Sequence, residues 1–187
     1  MAQAGPRHTC DTAVPASLPA DQRAILADAA AKTDATPLPA GATLLDCNVA
    51  KATAAVPAGV TVTPSPVASP RAGIRDNGGT GNIGSIVCTL AGQPYYVSSP
   101  TYIHDQVQWQ CNVYYGSMSG NGYVVTPSSG TKVKSFRQTS STWSWSAHLE
   151  FSGVAWYGYH NRGGYEEAFF AIDGVGVLSV TTNTSYI

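Results

Sequence analysis

The sequence predicts a mainly β protein: an antiparallel β-sandwich or partly closed barrel, with an N-terminal Ala/Pro-rich arm carrying one short helix. Three observations carry that prediction. Every Phe, Trp and Tyr occurs at or after Tyr95, so the side chains that bury most area belong to the second half. Within that half, two segments alternate apolar and polar residues with the period of two that a half-buried strand requires. Charged residues are only 11% of the chain, against roughly 25% in a typical soluble domain, and Ser, Thr, Asn, Gln and Gly take their place. Such a surface suits an exported β protein better than an intracellular helical enzyme.

The chain divides by composition into residues 1–75, an arm, and 76–187, the β domain. In the arm, Asp21 to Lys32 reads as a helix. Asp21 is placed to cap it, alanine has the highest helix propensity, and Lys32 suits the negative end of the dipole. Its apolar stripe, Ile25, Leu26 and Ala29, is narrow. Residues 55–70, rich in Pro, Val and Thr, read as extended chain or a lone edge strand.

After Asp76-Asn-Gly-Gly79 the pattern turns to strands, near 84–90, 94–97, 106–115, 123–126 and 131–137. The clearest is Val107, Trp109, Cys111, Val113 and Tyr115, interleaved with Gln106, Gln108, Gln110, Asn112 and Tyr114. Trp143 to Phe151 alternates in the same manner. Asn121-Gly122 and Asp173-Gly174 predict hairpin turns, because both dipeptides tolerate positive φ. Gly153 can break the chain and Asn161-Arg-Gly-Gly164 can turn it. Residues 143–180 therefore read as a four-strand meander.

Cys10, Cys47, Cys88 and Cys111 form an even set without a C-x-x-C pair, which favours two disulfides over a zinc or redox site. Pairing within each compositional half gives Cys10–Cys47 and Cys88–Cys111. Cys88 and Cys111 also lie on the apolar sides of their strands. The expected localisation is secreted. Met1 ahead of Ala-Gln-Ala-Gly reads as a start placed before a mature N-terminus whose export signal has been removed. Alanine, threonine and proline usage is similar to that of exported proteins from high-GC bacteria. A net charge of −1 gives no reason to expect nucleic acid as a partner, and no stretch is long and apolar enough for a membrane span.

No residue set has the spacing of a known catalytic or cofactor motif, so neither a catalytic residue, a metal nor a cofactor is expected. The serines lack a Gly-x-Ser-x-Gly elbow, and Gly78–Gly84 lacks the Lys of a phosphate loop. His104-Asp105 are neighbours, but consecutive strand residues point to opposite faces. The candidate binding set is Tyr157, Tyr159, His160, Asn161, Arg162 and Tyr165, where aromatic rings accompany an arginine and an amide. Val60, Thr61, Val62 and Thr63 could add as a strand to a partner's sheet. Together these predict a secreted, non-enzymatic binding or adaptor module recognising another exported protein, for example within a multi-subunit antibacterial toxin, or a surface glycan. The alternative is a small secreted hydrolase of glycosidase type. It would use a carboxylate pair drawn from Asp105, Glu150, Glu166, Glu167 and Asp173, with Glu150 and Glu166 or Glu167 foremost.

Overall fold

The fold is described from a computed structural model covering residues 10–65, 83–97, 102–125, 132–140, 144–154, 163–182 and 185–186. A short 3₁₀ turn, Cys10–Ala13, leads to helix α1, Ala20–Ala35. The strands are β1 (Ala42–Leu44), β2 (Asn48–Ala55), β3 (Ser85–Val97), β4 (Tyr102–Tyr115), β5 (Ser117–Val125), β6 (Lys132–Ser140), β7 (Ser144–Val154), β8 (Gly163–Ile172), β9 (Gly176–Thr181) and β10 (Ser185–Tyr186). They form two antiparallel sheets and no closed barrel among the described residues. In the first sheet the order is β1-β3-β4-β7, with β2 also pairing β3; in the second it is β10-β8-β5-β6, with β9 also pairing β8.

Strands β3 and β4 are the centre of the first sheet. Cys88 and Cys111 are direct cross-strand partners and are disulfide-bonded. Leu90 faces Trp109 beside them, and Ile86, Val107, Val113 and Tyr115 complete this side of the core. The second sheet answers with Met118, Ala168, Phe170, Ile172, Leu178 and Val180. Burying a side chain of Leu or Phe size contributes about 1.5–3 kcal/mol, so this inter-sheet layer is the main source of stability. Cys10–Cys47 is the other bridge. With separations of 37 and 23 residues, each bridge removes about 3–4 kcal/mol of unfolded-state freedom in the chain-entropy model.

The alternation in β4 is as expected, but its polar side is not at solvent. Gln106, Gln108, Gln110 and Asn112 are all buried. Helix α1 lies against β3 and β4 on that side, placing Ile25, Leu26, Ala29 and Ala30 in contact with the sheet. The contact is held by amide chemistry. Gln110 donates to the Ile25 carbonyl (3.1 Å) and to Asp28 (2.8 Å), and accepts from Lys32 Nζ at 2.8 Å. Gln106 donates to the Pro37 carbonyl, and Thr33 to the Ala91 carbonyl. Asp34 accepts from the Cys10 amide and from Gln93. Asn112 extends the ladder with its side chain, accepting from the Val87 amide and donating to the Ser85 carbonyl.

Several local expectations change. The helix begins at Ala20 with Pro19 in the cap position, and Asp21 lies in the first turn without a side-chain cap bond. Strands β1 and β2 were not foreseen, because Asn48–Ala55 is alanine-rich and lacks a strand's β-branched pattern. Pairing with β3 decides: Ala50, Ala52 and Ala54 face Leu90, Cys88 and Ile86 in register. Segments 84–90 and 94–97 are one strand. Pro94 sits where the neighbour changes from β2 to β1, and its carbonyl accepts from the Leu45 amide.

Asn121-Gly122 is not a turn. It lies inside β5, paired on both sides with Arg137 and Phe136 of β6 and with Glu167 and Glu166 of β8, and a two-sided ladder overrides turn preference. The chain instead passes from the first sheet to the second at Gly116, whose amide donates to the Ala171 carbonyl. Gly153 is inside β7, opposite Ile103. The predicted meander is also divided: β7 joins the first sheet and β8 the second. The Asp173-Gly174 turn forms as expected between β8 and β9, with Gly174 at φ 75°. The boundary near residue 75 and the Asp76–Gly79 segment lie outside the described residues.

Replacing Gln110 by Ala removes an amide that bonds three helix groups and leaves the Ile25 carbonyl buried without it. The expected loss is about 2–4 kcal/mol, read as a lower urea midpoint, with helical circular dichroism signal lost first.

Candidate functional site

Residues with outward-facing side chains alternate along β8: Tyr165, Glu167, Phe169 and Ala171 are half-buried, while Glu166, Ala168, Phe170 and Ile172 are buried in the core. On β9, Val177, Ser179 and Thr181 are exposed and Leu178 and Val180 buried, so β9 repeats the two-sided pattern. Register then places Val177 beside Ala171, Ser179 beside Phe169, and Thr181 beside Glu167. Across β5, Ser117 and Ser119 fall opposite Ala171 and Phe169. The result is a face on which Phe169 and Ala171 of β8 lie between the serines of β5 and the outer strand β9, where exposed Val177 continues the apolar surface beside hydroxyls and one carboxylate. Val177 is 66% exposed, the largest exposure of any bulky apolar side chain among the described residues. The corresponding face of the first sheet is covered by α1.

Of the expected binding set, Tyr165 is half-buried on β8 with Tyr123 as its Cα partner on β5. Tyr157, Tyr159, His160, Asn161 and Arg162 lie outside the described residues. Along Val60, Thr61, Val62 and Thr63 the chain runs over its own β body. Val62 packs against the core cluster. A Cβ on Gly174 would meet Val60 at 2.9 Å. The Thr63 carbonyl accepts from the Tyr114 amide (2.9 Å), and the Ser65 amide and hydroxyl donate to the carbonyls of Asn112 and Cys111. The Thr63 carbonyl is thus engaged by the protein's own β4.

Among the acidic candidates, the structure brings together Asp105 and Glu166. Glu150 is on β7 opposite Gln106, Glu167 is on the outward side of β8, and Asp173 is exposed in the β8–β9 turn. Asp105 enters from β4 and Glu166 from β8, and they meet over β3 at Gly92. A Cβ placed there would stand 3.1 Å from Glu166 Oε2 and 3.2 Å from Asp105 Oδ1. The Thr182 hydroxyl donates to Glu166 Oε2 at 2.7 Å and accepts from the Glu166 amide at 3.0 Å. Burial pushes the Glu166 carboxyl up to about 7, against the opposing pull of the Thr182 and backbone hydrogen bonds. Asp105 and Glu166 are 5% and 2% exposed, which leaves no room at the carboxyls for a sugar ring in this arrangement.

His104 and Asp105 do point to opposite sides: His104 stacks on Tyr95, 5.1 Å between ring centres, while Asp105 turns inward. Asp34 lies near Cys10 and Cys47. Their sulfurs are bonded to each other and are not thiolate ligands.

The outward patch escaped the sequence reading, which named both Asp105 and Glu166 among five acids but set Glu150, not Asp105, foremost as the partner. Val175–Val180 was expected as a strand, but which of its faces would be covered depends on the opposite sheet. Asp105 and Glu166 are 61 residues apart by their numbering, and only the sheet-on-sheet packing makes them neighbours.

No protein-family model, curated protein or solved structure matches the chain.

Gly92→Ala is expected to lower stability by about 1–3 kcal/mol, because its methyl group would press on both carboxyls. Urea denaturation of the variant measures it.

Proposed function

We propose that the chain is a secreted, non-enzymatic binding module that acts as an adaptor for another exported protein. The observation that carries this reading is the outward face of the second sheet. Phe169 and Ala171, continued by exposed Val177 on β9 and flanked by Ser117, Ser119, Ser179, Thr181 and Glu167, have the make-up of a protein interface: apolar side chains bordered by polar ones. Val177, the most exposed apolar side chain, is aliphatic and suits apolar protein side chains, while half-buried Phe169 is the patch's one aromatic ring. The secreted setting is supported by two disulfides and by the scarcity of charge. No helix among the described residues is long and apolar enough to cross a membrane. Membership of a multi-subunit assembly, such as an antibacterial toxin, fits an adaptor that presents one face outward and is braced by a helix on the other.

Val177→Asp places a charge on the most exposed apolar side chain of the patch, at a position already facing water. The variant is expected to keep its melting temperature within about 1 °C, since exposed substitutions usually change stability by under 0.5 kcal/mol. Purified from its native medium, the unsubstituted protein is expected to elute in size exclusion as part of an assembly, and Val177→Asp as the free chain. Identical elution of the two would overturn the reading. Binding to a neutral glycan array, lost in Val177→Asp, would transfer the face to a sugar ligand.

A further inference from the structure

The interior holds one arrangement that the recognition face does not use. Asp105 and Glu166, one from each sheet, close from two sides on Gly92 at the layer where the sheets meet. Neither oxygen of Asp105 has a hydrogen-bond partner among the described residues, and Glu166 has the Thr182 hydroxyl on one oxygen. Glycine is fitted to the place: a side chain on residue 92 would fill the space between the carboxyls.

Among the described side chains, none that faces the pair carries a positive charge. Within that set, the inter-sheet side of β3 contributes the half-buried Tyr96 phenol, Cys88 being disulfide-bonded, and β2 sets the neutral Asn48 opposite Gly92. Those of β4 contribute Asp105 itself and, at its far end, the Tyr115 phenol; those of β8 contribute Glu166, and those of β9 are Leu178 and Val180. Lys32, Asp28, Asp34 and His104 all stand on the helix side of the first sheet. An isolated carboxylate is costly in such a medium, and two facing carboxylates add mutual repulsion.

We propose that Asp105 and Glu166 form a proton-operated latch between the two sheets. With the carboxyls protonated the pair is neutral and the sheets close over Gly92. Loss of the protons places like charges in the core and loosens the contact of β4 with β8. The elevated proton affinity of Glu166, which comes from burial, agrees with this. The sign follows from linkage. Between the ordinary value of 4.5 and the folded value of about 7, the folded chain holds a proton that the unfolded chain has released. This contribution is therefore fully favourable below the lower value and is lost as pH rises through the upper one. The module is firm in acid and looser in neutral to alkaline surroundings.

The test is urea denaturation at pH 5 and pH 8 of the intact protein, Glu166→Gln, Asp105→Asn and the double variant. Each amide keeps the shape of the protonated acid. In the unsubstituted protein the unfolding equilibrium constant is expected to rise between the two pH values on the order of 50-fold more than in Glu166→Gln. Asp105→Asn is expected to reduce the rise and the double variant to abolish it. Hydrogen exchange of the unsubstituted protein, corrected for intrinsic rates, is expected to show β8 amides better protected at pH 5. A flat or opposite pH dependence in the unsubstituted protein overturns the latch, as does a double variant that keeps the full rise. Calcium restoring stability at pH 8 to the unsubstituted protein, but not to the double variant, would assign the pair to a cation instead and equally overturn it.

Discussion

The pairing of β3 with β4 is the constraint on which everything else in this protein rests. Direct opposition of Cys88 and Cys111 fixes its register covalently. A one-residue slip would exchange the two faces of β4 against β3. Here that would place Gln110 and Gln108 in the apolar layer and Trp109 and Val107 beneath the helix. Because both faces of this pair are buried, neither tolerates the exchange. The disulfide and the two covering layers specify the same alignment.

The two layers do so by different physics. Between the sheets the contact is apolar, and its strength scales with area. Beneath α1 it is a set of directed amide bonds: Gln110, Gln106 and Gln93 each reach the helix segment or the chain beside it. Such a seam adds little net stability per bond, but it is intolerant of rotation or sliding, since each displaced amide leaves a buried group unsatisfied. Cys10–Cys47 adds a covalent tie at one end of the seam. A helix with so narrow an apolar stripe can therefore still sit in one place.

The β class, the alternation of β4, the Asp173-Gly174 turn and the cysteine pairs were legible because each is a local signal: periodicity, positive φ, or pairing within a compositional half. The failures are non-local. Alanine-rich β2 resembles helix by propensity and becomes a strand only because β3 offers it an edge and a close apolar face. Asn121-Gly122 carries turn chemistry, yet two neighbouring strands hold it extended. The polar side of β4 gave the right period but the wrong environment, since alternation reports that two faces differ and not what covers them. Of the expected site residues, Tyr165 takes a place beside the outward patch. That patch depends on which side of the second sheet remains uncovered, and no local pattern encodes it.

The passage through Gly116 has a consequence for how the molecule comes together. The chain leaves the first sheet there to build β5 and β6, returns to it as β7, and leaves again for β8, β9 and β10. Neither sheet is contiguous in sequence, so a nascent chain ending before β7 lacks an outer member of the first sheet while β5 still awaits β8. Assembly of the two halves is thus interleaved, which favours one concerted transition over stepwise maturation of separable lobes.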